Sequence, residues 1–160
     1  MNTEKTHLVA LCGWMGFLIL LIGCGQPGPP PQPAMHVDET KSVAYQETVA
    51  QLTALNREAE AAFKSGKADE AAKIMDQEKP LVARVLSPPR PTLEAMEAAS
   101  DLDQLYGTML LRNRHYGWAR VMFQGNLARW KHWRPVTEES TRRMKEAEAA
   151  IAECDKGILQ

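Results

Sequence analysis

Cysteine is scarce, with three residues in a chain of 160. That is too few for a disulfide-stapled scaffold, and no two of them stand at metal-ligand spacing. A charge excess of either sign is missing too. The 19 Lys and Arg against 20 Asp and Glu leave a net −1, which argues against nucleic acid as a partner of the whole chain. No stretch alternates polar and apolar residues with the β-branched enrichment of a strand. There is no Glu-x-x-His, no His-Glu-x-x-His, no glycine-rich phosphate loop and no Ser/His/Asp order of a known pattern. The sequence therefore names no catalytic residue, no metal ligand and no cofactor. Apolar residues are present at 44%, which excludes global disorder, and the length suits one domain.

The one long uncharged apolar run lies at the N-terminus. Met1–His7 is polar with Lys5, and Leu8–Ile22 follows as fifteen residues without a charge. As a helix this run is about 22 Å long, short of a hydrocarbon core of about 30 Å. It reads as the apolar region of a signal peptide; the alternative is an uncleaved anchor extended through Gly23–Gln26. Directly after it stand Leu21, Ile22, Gly23 and Cys24. This order resembles the lipobox of bacterial lipoproteins. The resemblance implies a signal peptide over 1–23, diacylglyceryl transfer to the Cys24 thiol, cleavage before Cys24 and acylation of the new amino group. It also implies a bilayer as partner and the cell envelope as address. Gly25 stands where that family's inner-membrane retention pattern has Asp, which points to the outer membrane if the source is Gram-negative. Two or three acyl chains anchor stably where one does not.

Residues 24–37 form the lipidated cysteine and a tether. Gly25–Pro33 holds five prolines and two glycines in nine residues. Such a run suits extended polyproline II, about 30 Å of semi-rigid stalk.

From Asp38 to Gln160 the periodicity is helical, and an all-α domain is expected. Five stretches can be drawn. The first covers about Glu39–Lys64, with a stripe Tyr45, Val49, Leu52, Ala59 and Phe63. The second runs from Lys67 towards Lys79, with a short continuation from Pro80 to Leu86. Ser87-Pro88-Pro89-Arg90-Pro91 stops any helix. The third starts near Thr92 and carries Leu93, Met96, Leu102, Leu105, Tyr106, Met109 and Leu110. The fourth covers about Tyr116–Trp133, and the fifth, capped by Thr137, carries Met144, Ala147, Ile151, Cys154 and Ile158. Cys154 falls in that stripe and reads as a small buried hydrophobe.

Phe63, Gly66 and Ala71 stand as a large apolar residue closing one helix, a turn glycine and a small residue on the next helix. Tyr116, Ala119, Phe123 and Leu127 repeat part of that order. This pattern is similar to tetratricopeptide-like helical repeats, and the resemblance implies antiparallel helix hairpins and a protein-binding role. Ala71 and Ala119 are 48 apart where the family period is 34, and Asn113-Arg114 stand where a turn glycine is expected. The other reading is an irregular helical bundle.

Charge is segregated within the near-neutral total. Residues 38–110 carry 8 basic and 13 acidic side chains, 111–145 carry 9 and 2, and 146–160 return to net −3. The basic stretch also holds Tyr116, Trp118, Phe123, Trp130 and Trp133. On a helical wheel Trp118, Met122 and Trp133 share one face, which is expected in the core. Arg129, Trp130, Lys131 and Arg134 are then the candidate partner surface. The leading expectation is an envelope lipoprotein acting as a protein-interaction or scaffolding module. One alternative is a binder of anionic polymer or headgroups through residues 112–145. Another is a ligand-binding or enzymatic bundle with a pocket lined by His115, His132 and nearby arginines.

Overall fold

The computed structural model describes residues 38–160. The apolar run, Cys24, the tether and His36 lie outside the described residues. Every regular element is helical: a short 3-10 turn at Glu39–Lys41, then α1 (Val43–Lys64), α2 (Ala68–Val85), α3 (Leu93–Arg112), α4 (Tyr116–His132) and α5 (Glu138–Ile158). The protein is an all-α helical bundle.

Local chemistry sets the boundaries. The Ser42 hydroxyl accepts the Tyr45 N–H at 3.2 Å, so α1 starts at Val43, and Asp38 caps only the preceding turn. Thr92 accepts the Ala95 N–H at 3.3 Å and starts α3. Thr137 and Ser140 form a reciprocal capping box at α5, with bonds of 2.9 and 3.1 Å. The second stretch and its expected continuation from Pro80 are one unbroken helix, α2, which runs through Pro80 to Val85. Val85 is fully buried, so tertiary packing outweighs the backbone hydrogen bond that proline cannot make.

α1 and α3 end in the same way. Lys67 N–H bonds the Ala62 carbonyl at 2.9 Å and Gly66 N–H bonds Phe63 at 3.0 Å; His115 N–H bonds Leu110 at 2.9 Å and Arg114 N–H bonds Leu111 at 3.0 Å. Gly66 and Arg114 take the left-handed conformation these Schellman turns require, with φ of 83° and 59°. The expected departure at Asn113-Arg114 is thus one of residue type only. Arg114 adopts the turn geometry at a backbone cost that glycine avoids.

α1–α2 and α3–α4 are antiparallel hairpins, α1 lies against α3, and α5 returns along α4. The interior divides into three apolar clusters. Tyr45, Val49, Leu52, Val85, Ala95 and Ala98 join one end of α1, α2 and α3. Ala59, Ala62, Ala71, Ile74, Met75, Leu102 and Met109 join the other end. Ala119, Phe123 and Cys154 join α4 to α5. Cys154 is a buried free thiol, and burial is the first cause that pushes its pKa up. The Tyr45 hydroxyl donates to the Val85 carbonyl at 2.9 Å and accepts the Thr92 N–H at 3.2 Å, pinning the connection between the hairpins.

Candidate functional site

The buried stripe of α4 is Ala119, Phe123, Asn126 and Trp130, at spacings of 4, 3 and 4. This corrects the sequence-based assignment of the tryptophans. Trp130 is 1% exposed and Trp118 is 71% exposed, the reverse of the expectation. Trp130 Nε1–H donates to Ser100 Oγ at 2.8 Å, and Ser100 Oγ–H donates to Asn126 Oδ1 at 2.7 Å. The Arg143 guanidinium lies 5.3 Å from the Trp130 ring centre and donates to Asp101 at 2.6 Å. This network joins α3, α4 and α5 through a polar centre in which buried groups have partners. Trp133 lies one residue past α4, with extended backbone, and meets Trp130 edge-on at 6.3 Å.

The other members of the expected surface divide. Arg129 is largely buried and pairs with Asp103 at 2.8 Å. Burial pushes the Asp103 carboxyl up, and the Arg129 charge and hydrogen bond pull it back. Lys131 and Arg134 are exposed; the Arg134 guanidinium folds back on the carbonyls of Lys131 and Trp133. Arg120 pairs with Asp155 at 2.6 Å, and Arg112 lies 4.5 Å over the Phe63 ring. Much of the basic segment is thus neutralised or packed within the fold. His115 and His132 stand at opposite ends of α4, about 25 Å apart, so they line no common pocket. Among the described residues no group of three His, Cys, Asp or Glu is placed to hold a metal ion.

Two features escaped the sequence reading. The first is a groove of about 570 Å³ between α1 and α3. Arg57, Glu94, Glu97 and Asp101 line it towards the start of α3, and Glu60, Lys64 and Arg112 line it towards the helix ends, where Lys64 pairs with Glu60 at 2.7 Å. Burial pushes the Glu97 carboxyl up, against the pull of Arg143. Asn56 also lines the groove and is 7% exposed. Its Nδ2 donates to the Ala98 carbonyl at 2.7 Å, which settles the amide orientation, and its enclosed Oδ1 has no partner among the described residues. An unpaired buried acceptor costs free energy until a donor reaches it.

The second is Glu78, fully buried on α2 with neither carboxylate oxygen hydrogen-bonded. Burial alone raises its pKa to about 7. A shift by 48 residues superimposes Ala71 on Ala119, Met75 on Phe123 and Glu78 on Asn126 in the sequence. Asn126 meets Ser100, whereas the position 48 before Ser100 is the apolar Leu52. Comparison with protein families, with curated proteins and with solved structures returns no match.

Proposed function

We propose that this chain is a bacterial envelope lipoprotein, anchored through acyl groups on Cys24, whose helical domain holds a protein partner in the groove between α1 and α3. The observation that carries the binding role is the groove itself, about 570 Å³ between α1 and α3 with polar and charged side chains along both walls. The hairpin arrangement fits the helical-repeat resemblance of the sequence, and Leu21-Ile22-Gly23-Cys24 supports the anchor.

Two measurements test the two halves separately. Intact mass of detergent-extracted protein should give a chain that begins at Cys24 with added acyl mass; a mature chain without lipid refutes the anchor. A photo-crosslinking residue in place of Gln104, which borders the groove, should capture a discrete envelope protein in intact cells. Thr108→Trp, which places a large ring in the groove, should abolish that product without lowering the melting temperature. Crosslinking no stronger than from a control site at exposed Glu148 refutes the groove.

A further inference from the structure

The outward face of α4 carries Trp118, Val121, Gly125, Ala128 and His132, all exposed. At the corresponding positions 48 residues earlier α2 carries Glu70, Lys73, Gln77, Pro80 and Arg84. The first hairpin thus gives this face a solvated surface, while the second gives it an indole 71% exposed and a valine 51% exposed. No packing within the chain calls for the glycines on this face, since a Cβ at Gly117 or Gly125 would meet nothing within 4 Å. They keep the surface low around Trp118, so its indole stands out. Between Asp103 and Glu138 the chain has no acidic residue. Lys131 and His132 are exposed at the end of α4, and Arg134 just beyond it.

We infer that this face of α4 lies against the surface of an anionic phospholipid bilayer. The inference rests on the lipoprotein reading, because the anchor would supply the bilayer at high local concentration. A second copy on this face would instead bury Trp118 equally in neutral and anionic vesicles. Exposed Arg114 precedes the indole by four residues, and Lys131 and Arg134 stand about 20 Å away at the other end of the helix; a tryptophan on such a face suits the headgroup level, where its apolar ring and N–H are both accommodated. Reach is sufficient. The chain from Cys24 to Asp38 extends to at most about 50 Å. The Ser87–Pro91 loop borders Asp38–Thr40 on one side and the end of α4, at Arg129 and His132–Arg134, on the other. The root of the tether is therefore at the same end of the domain as the basic end of α4.

The test uses the acylated protein, verified by intact mass, in phosphatidylcholine vesicles with or without phosphatidylglycerol, doped with a brominated quencher lipid. The emission lost in Trp118→Phe isolates the Trp118 contribution. In anionic vesicles this contribution should shift to the blue and lose most of its intensity to the quencher. It should recover at high salt, and it should do neither in Val121→Glu or in pure phosphatidylcholine. Trp118 emission that stays red and unquenched in anionic vesicles overturns the inference and leaves the stripe to a protein partner. Failure of the lipoprotein reading is distinct, since it appears as absent acyl mass before any vesicle is made.

Discussion

At the residue scale the two tryptophans of α4 have opposite duties. Trp130→Ala removes a buried ring and leaves Ser100 without its indole donor, so it should cost about 3–5 kcal/mol in denaturant unfolding. Trp118→Ala should change stability by no more than about 0.5 kcal/mol. Equal losses in the two variants would contradict the burial assigned to α4. The wheel misled for a physical reason. The buried stripe contains Asn126, a polar residue that reads as surface until Ser100 is known to face it, and Trp133 lies beyond the last helical turn. The spacing of Ala119, Phe123, Asn126 and Trp130 was nonetheless the available signal, once a buried amide is allowed. Glu78 was illegible for the same reason, because a carboxylate in an amphipathic helix reads as solvated. Its raised pKa has a direction. The folded state keeps a proton that the unfolded chain releases above about 4.5, so Glu78 favours folding below that pH. The benefit is lost as the pH climbs to about 7. The full swing is about 3 kcal/mol. Unfolding free energies of wild type and Glu78→Gln, measured from pH 4 to 8, should differ in slope over that window, with the variant flatter. Parallel profiles would mean that Glu78 is hydrated.

At the scale of elements the two hairpins solve one packing problem with different volumes. A Cβ on Gly107 would fall 2.6 Å from the Phe123 ring, so α3 and α4 approach as closely as glycine allows. The positions 48 earlier are Ala59 and Met75, both in one core cluster. A larger residue on one helix accompanies a thinner one on the other. Gly107→Ala alone should therefore destabilise by about 1–3 kcal/mol through overpacking. Combined with Phe123→Met, it should cost clearly less than the sum of the single changes. Strict additivity in thermal melts would show that the ring moves aside freely. Helix limits were largely legible, because Thr92, Thr137, Gly66 and Pro91 act through local backbone chemistry. The pairing of Gly107 with Phe123 was not, since it depends on which turn of α3 meets which turn of α4.

At the scale of the molecule the segregated charges are partly reunited. Arg129 meets Asp103, Arg143 meets Asp101 and Arg120 meets Asp155, so the basic segment stitches α4 and α5 to their neighbours. What is left for partners is the set that no acid reaches: Arg114, Lys131, Arg134 and Lys145, with Arg112 packed over Phe63. The fragment 38–160, carrying all three apolar clusters, should give a helical circular dichroism spectrum and a cooperative melt; a strand-dominated spectrum or no transition would contradict the fold. Each helix packs mainly on those adjacent in sequence, and that order has a temporal consequence. Synthesis delivers α1 and α2 first, with most of their mutual contacts already available, while α5 is still to come. Sequence-local contacts close at low entropic cost and fold fast. A nascent chain can therefore pair its leading hairpin early, but both apolar clusters of that hairpin close only when α3 brings Ala95, Ala98, Leu102 and Met109.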